Sequence, residues 1–241
     1  MSTTYRLLKT GFRRTAPQWL KPMLFRGHTP FSRMVLRFKA RLEAGAEHDE
    51  LYDEAYFERQ DLAMATSAEG IAASVRTLLP DVRTVVDVGC GSGAVLAALE
   101  RVGISGSGLE YADAALNRCR AKGLKVQKFD IESEPPPGLR GDLALSTEVA
   151  EHLPAERADA FVDLLIGIAD TVVMTAAVPG QGGTDHVNEQ PNSYWIAKFE
   201  ARGLAHDPAV TQAWRHDWTS RGVDSHRARN VMVFRRDQSG E

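Results

Sequence analysis

Three stretches of the chain hold residues able to do chemistry. The first, VVDVGCGSGAV, sets Asp87 two residues before Gly89, Gly91 and Gly93, at the end of an apolar run. Glycines between a strand and a helix leave backbone N–H groups pointing out of the turn and let a nucleotide-like ligand approach the chain closely. The second, STEVAEHLPAE, carries Glu148, Glu151 and His152 at spacings of three and four from the first, which a helical turn would gather on one face. The third, GQGGTDHVNEQPNSYW, puts His186 in a glycine-rich loop.

Two chemistries fit the last two stretches. An imidazole titrates near neutral pH, so His152 or His186 suits the removal of a proton from a hydroxyl. Alternatively, Glu148, Glu151, His152 and His186 form a hard-to-borderline donor set for Mg²⁺ or another divalent metal, which would acidify a bound hydroxyl. A plainer reading also stands, in which Glu148 caps a helix or fixes His152 and no metal binds.

The elements around these stretches alternate. Helix 71–79 ends at Pro80, and strand 84–88 leads through the glycine turn to helix 94–101. Strand 106–110, helix 113–121, strand 124–130, strand 142–147, helix 155–168 and strand 171–178 follow. Alternation of this kind gives parallel pairing and an open twisted sheet whose sites lie at the carboxyl ends of the strands. After helix 192–201, segments 209–218 and 230–235 read as an antiparallel hairpin that closes the sheet.

As a phosphate-binding turn, Gly89, Gly91 and Ala94 satisfy the G-x-G-x-x-A pattern of a dinucleotide site. Asp87 argues for a cationic ligand instead. The order Asp87, Gly89, Gly91, Gly93, followed by Glu110 and then Asp130 at successive strand ends, resembles the class I S-adenosylmethionine-dependent methyltransferases over roughly residues 68–236. That resemblance implies a seven-stranded Rossmann-like α/β sheet, mostly parallel with a C-terminal antiparallel hairpin, and S-adenosyl-L-methionine as cofactor. It implies that Asp87, Gly89, Cys90, Gly91, Gly93 and Thr147 organise the methionine end, that Glu110 takes the ribose hydroxyls, and that Asp130 takes the adenine amino group between Tyr111 and Ile131. An Asp at a strand end also starts turns, which leaves Asp130 with a second reading.

The E-x-x-E-H run with a later His resembles the metal site of small-RNA 2′-O-methyltransferases, and its first part resembles the O-methyltransferases of ubiquinone biosynthesis. Together with HVNEQPNSYW it also resembles bacterial enzymes of saccharide and secondary-metabolite pathways. The resemblance therefore implies methyl transfer to a hydroxyl of a small molecule, first a sugar or glycoside, then a catechol or quinone precursor, then RNA. A cofactor-binding scaffold without turnover is the non-enzyme alternative. Tyr194 and Trp195 are candidates for the acceptor pocket or for the core.

Composition bounds these choices. At 241 residues, with 43% hydrophobic and 25% charged residues, the chain suits an ordinary globular protein. The most apolar stretch, 161–178, contains Asp163 and Asp170 and reads as helix then strand rather than a transmembrane segment. Only Cys90 and Cys119 occur, so a disulfide framework is not expected and a reducing, cytoplasmic setting is. Residues 1–42 hold ten Lys or Arg and no acid, leaving 19 basic against 32 acidic residues in the remainder. Residues 1–67 thus read as a basic helical arm and lid, with Tyr52, Tyr56 and Phe57 near its end, and 68–241 as the cofactor-binding domain. The arm's uses are a cap over the site, contact with a partner subunit in a homodimer, peripheral contact with an anionic membrane, or a transit segment. The acidic body disfavours nucleic acid as a partner.

Overall fold

The segment TVVDV concentrates β-branched residues, and four of its five side chains are buried, the pattern of a central strand covered on both faces. In the computed structural model it forms β1 (Thr84–Val88). Residues 54–183 and 185–236 are described. The basic arm over 1–53, including Tyr52, lies outside the described residues, as does the Tyr56 side chain.

In chain order the elements are α1 (Glu54–Leu78), β1, α2 (Ala94–Arg101), β2 (Ser105–Glu110), α3 (Asp113–Ala121), β3 (Val126–Lys128) and β4 (Leu143–Ser146). A short 3₁₀ turn (Ala155–Arg157) then leads into α4 (Ala158–Ile168), β5 (Thr171–Met174), α5 (Asn192–Glu200) and β6 (Leu204–His206). The chain continues as α6 (Pro208–Ser220), α7 (Ser225–Asn230) and β7 (Met232–Arg236). The seven strands run in the order β3-β2-β1-β4-β5-β7-β6. β1 pairs in parallel with both β2 and β4, whereas β7 is antiparallel to β5 and β6. The mostly parallel seven-stranded sheet with a C-terminal antiparallel pair is as the sequence implies.

Because the chain returns from the β3 edge to place β4 beside β1, strand order reverses between these two strands. A crevice opens there at their carboxyl ends, where ligands of such sheets bind. Alternate side chains of each strand feed two cores. Val86, Val88, Met232 and Phe234 join Phe161, Trp195 and Phe199 on one face. Val85, Leu143, Leu145 and Val233 join Ile71, Val75, Leu99, Trp214 and Trp218 on the other.

Two expectations are corrected. The first helix begins at Glu54 rather than Ile71, and it runs without a break across residues 67 and 68. Residues 209–218 belong to helix α6 and not to a strand; β7 pairs instead with the three-residue β6 on one side and with β5 on the other. The helical signal was present, since Val210, Trp214 and Trp218 recur every four residues and Asp207 caps the helix by accepting from Val210 N at 2.9 Å, ahead of Pro208. No helix among the described residues is long and apolar enough to cross a membrane.

Trp214 is fully buried between α6 and the sheet. Replacing it with Ala should lower stability by about 3–5 kcal/mol, as for other buried Trp truncations. Urea unfolding checks this, and a loss below about 1 kcal/mol would mean that α6 does not pack as described.

Candidate active site

The glycine turn owes its shape to backbone conformations that other residues resist. Gly89, Gly91 and Gly93 all have positive φ, at 74°, 53° and 79°. A side chain at Gly89 would also collide with Val149, and one at Gly93 with Leu124 and Cys119. Gly89 N and Cys90 N donate to Leu109 O at 2.8 and 3.2 Å, which ties the turn to β2. Gly93 is the N-cap of α2, and no side chain caps the first N–H groups of that helix. Cys90 and Cys119 are buried free thiols. Their mutual hydrogen bond, with burial, pushes the Cys90 thiol well above its usual range.

Asp87 is only 3% exposed. Burial, with the Glu110 charge adding to it, pushes its carboxyl up to about 7. The Glu110 carboxylate is engaged by the backbone: Oε2 accepts from Gly91 N, and Oε1 from Tyr111 N and Ala112 N, each at 2.8 Å. It thereby joins the end of β2 to the glycine turn. Asp130 accepts from Glu132 N at 2.8 Å and from Ser133 Oγ at 2.6 Å, so it starts a turn.

Opposite the glycines, the chain leaving β4 makes an irregular turn. The expected helical face is corrected here, because Glu148 has a φ of 57° and the following helix starts only at Ala158. A left-handed backbone at a bulky residue is uncommon and needs support. Thr175, which is buried, provides it: its hydroxyl accepts from Glu148 N and donates to Glu148 Oε1, both at 2.8 Å. Glu151 lies beneath, fully buried, and its two carboxyl oxygens have no hydrogen-bond partner. Burial, reinforced by the Glu148 charge, raises it to about 8. The backbone N–H groups of Glu151 and Ala177 and the Arg227 charge act in the opposite direction and moderate that shift.

The loop after β5 is fastened to this turn, since Val187 N and Asn188 N donate to Glu151 O at 2.9 and 3.0 Å. His186 then meets His152 edge to face, with ring centroids 5.0 Å apart. His152 Nδ1 faces Asp185 O at 3.3 Å and His186 Nδ1 faces Glu189 Oε1 at 3.1 Å. A carbonyl and a carboxylate can only accept, so Nδ1 of each ring carries a proton. Burial works against the Glu189 charge, but Gly180 N–H, His186 and Gly182 N–H hold its pKa below the ordinary value.

One cavity of about 360 Å³ collects these groups: Asp87, Gly89, Cys90, Gly91, Thr147, Glu148, His152 and His186 all line it. Glu110, Tyr111, Asp130 and Ile131 stand outside it, along the ends of β2 and β3. Glu151, His152 and His186 bring one ligand atom each to within 4.8 Å of one another, and Glu148 is not part of that trio. Phe57 and Met64, both on α1, also line the cavity. Trp195 is fully buried in the core and Tyr194 packs against it, so neither forms the pocket. Thr175, Asp61 and Arg227 were missed. Asp61 hydrogen-bonds Ser92 and pairs with Arg118 at 2.9 Å, latching α1 to the glycine turn. Only its distance in sequence from the motif concealed it.

Comparison with known proteins bears on this geometry. A family model described as methionine biosynthesis protein MetW matches residues 71–136, and no curated protein matches the chain. Among solved structures, DesVI of Streptomyces venezuelae superposes over 79% of this chain and 98% of its own, at 17% identity and a TM-score of 0.54. The sugar N-methyltransferase KedS8 of Streptoalloteichus matches over 73% and 88%, again at 17% and 0.54. NcsB1, an O-methyltransferase from neocarzinostatin biosynthesis solved with S-adenosyl-L-homocysteine and 1,4-dihydroxy-2-naphthoic acid, matches over 63% and 52%, at 22% and 0.51.

The chain has the class I methyltransferase fold. In that methyltransferase fold the crevice between β1 and β4 is the one just described, with Asp87 on one wall and the two histidines on the other.

Asp87 and Glu151 have raised pKa values in the fold, so their stabilising effect is complete below about pH 4 and is lost as pH rises through about 7 to 8. The ligand-free protein should therefore lose stability across that window. Glu151→Gln should remove about half of the loss, since Asp87 is shifted by a similar amount, and its advantage in Tm over the parent should grow from pH 5 to pH 8.5. A difference that stays constant with pH would contradict the burial of an unpaired carboxyl.

Proposed function

We propose that this protein is an S-adenosylmethionine-dependent methyltransferase that methylates a hydroxyl of a small molecule, first a sugar or glycoside. The observation that carries the reading is the cavity lined both by buried Asp87 at the glycine turn and by the imidazoles of His152 and His186. The bound cofactor would supply a sulfonium methyl as electrophile.

The chain's own groups divide the remaining work. Asp87, the N–H groups of the glycine turn, Cys90 and Thr147 hold the methionine end, and a cationic ligand there favours ionised Asp87. Glu110, Tyr111, Asp130 and Ile131 are the proposed ribose and adenine residues, reached along the strand ends beyond the cavity. His152 or His186 accepts the hydroxyl proton at Nε2, and Glu148, positioned by Thr175, polarises or orients the acceptor. Residues 1–67 are the proposed basic arm, with homodimer contact as one role for it. The cytoplasm is the proposed setting, in keeping with two free thiols.

A second reading is favoured by the unpartnered Glu151 carboxyl beside His152 and His186. Those three residues, with Glu148 adjacent, would hold Mg²⁺ or another divalent metal, whose chemistry would be to lower the pKa of a chelated hydroxyl. Adjacent hydroxyls would then be selected, either a sugar diol or a catechol. RNA stays third because the body is acidic, and a non-catalytic scaffold is the non-enzyme reading.

Calorimetric titration with S-adenosylhomocysteine tests the first step. The parent should bind in the micromolar range and Asp87→Ala should lose at least tenfold, about 1.4 kcal/mol. Binding of NAD in place of S-adenosylhomocysteine would overturn the reading. Titration with Mg²⁺ or Mn²⁺ decides the metal: heat that His186→Ala abolishes supports it, whereas no heat with intact cofactor binding leaves the histidine base.

A further inference from the structure

Arg227 enters the same cavity from α7, an element after the parallel part of the sheet, and joins a lining whose other titratable side chains are Asp87, Cys90, Glu148, His152 and His186. Its backbone N–H donates to Asp224 Oδ1 at 3.1 Å and its Nη1 pairs with Asp224 Oδ2, so the N-cap of α7 holds one edge of the guanidinium. Ser67 Oγ donates to the same Asp224. Beside that pair, Nε is buried with no hydrogen-bond partner. Side-chain exposure of 19% keeps the group largely out of bulk water. A guanidinium that is shielded in this way and bonded on one side only costs free energy until an acceptor completes it.

Arg227 belongs to the acceptor side of the cavity. Its charge acts on Glu151, whereas the groups that shift Asp87 are burial and Glu110. Asn230 Nδ2, one turn along α7, donates to Gln181 Oε1 at 2.7 Å and so ties this helix to the loop that carries His186. Arg227 and the Glu151 carboxyl are close enough to interact electrostatically, yet no hydrogen bond joins them, and both keep unmet capacity. A molecule with an oxyanion and, a few bonds away, a hydroxyl would satisfy Arg227 with the first and meet the histidines with the second.

We infer that Arg227 recognises a carboxylate or phosphate on the acceptor, so that the substrate is an acidic hydroxylated small molecule such as a sugar acid, a sugar phosphate or a hydroxylated aromatic acid. A planar guanidinium binds such oxyanions through paired N–H donors, which sets them apart from their neutral counterparts. This inference rests on the methyltransferase reading above.

The test is NMR of full-length protein labelled with ¹⁵N-arginine, with the Arg227 Nε–H signal assigned by its loss in Arg227→Lys. The protein is first saturated with S-adenosylhomocysteine. It is then titrated with glucuronate against glucose, glucose 6-phosphate against glucose, and 3,4-dihydroxybenzoate against 3,4-dihydroxybenzamide. A saturable shift of the Arg227 signal by at least one acid and by none of the neutral partners is expected. Arg227→Met should weaken binding of that acid at least tenfold while S-adenosylhomocysteine binding changes less than twofold. No response to any acid, or equal responses to acid and neutral partner, overturns the inference. A shift produced by S-adenosylhomocysteine alone, with a matching loss of its affinity in Arg227→Met, assigns the guanidinium to the cofactor's own carboxylate and overturns it as well. Failure of S-adenosylhomocysteine to bind the parent protein is a different result and defeats the methyltransferase reading itself.

Discussion

A carboxylate buried at the carboxyl end of the central strand governs this structure. Asp87 cannot be solvated by water where it sits, so its environment must either neutralise it or offer it a cation. The glycine turn beside it solves the packing side of the problem. Three left-handed glycines bend the chain tightly enough to open a space in front of the carboxyl, and Gly108 in β2 lets Cys90 and Leu96 close up behind it. Each of these features would destabilise a protein that had nothing to bind there.

The opposite wall repeats the arrangement with different groups. Glu151 is a second buried acid without a partner, and Glu148 holds an unfavourable backbone conformation that Thr175 sustains. Strain and unpaired charge of this kind gather where a site is shaped in advance for its ligand. The two walls come from β1 and from β4 with β5, and they meet because strand order reverses between β1 and β4. Ser146 Oγ, donating to Val88 O at 2.8 Å, fixes the ends of these two strands to each other and so sets the width of the crevice.

Local pattern told most about the glycine half of the site. The turn and the helix behind it, Ala94–Arg101, depend on residues adjacent in sequence, and so does helix Asp113–Ala121; both helices have the bounds that the sequence suggests. The histidine half was legible in its members but not in its geometry. Glu148, Glu151 and His152 suggested a helical face, whereas a hydrogen bond from Thr175, 27 residues later, holds them in an irregular turn. Segment 209–218 reads as half of a closing hairpin from its place in the element order, whereas the cap at Asp207 and the four-residue spacing of Val210, Trp214 and Trp218 favour a helix packed on the sheet.

By itself the sequence determined that the chain alternates strands and helices, that a cationic nucleotide-like ligand suits the turn after Asp87, and that acids and imidazoles follow the fourth and fifth strands. These conclusions rest on short-range spacing, which any strand or turn must obey. Only the tertiary structure decided that Glu151 is buried and unpartnered, that Glu148 stands apart from the Glu151, His152 and His186 trio, and that Asp61 and Arg227 reach the site from the two ends of the chain. Burial and pairing between distant segments depend on how the whole sheet closes, and no local pattern of residues encodes them.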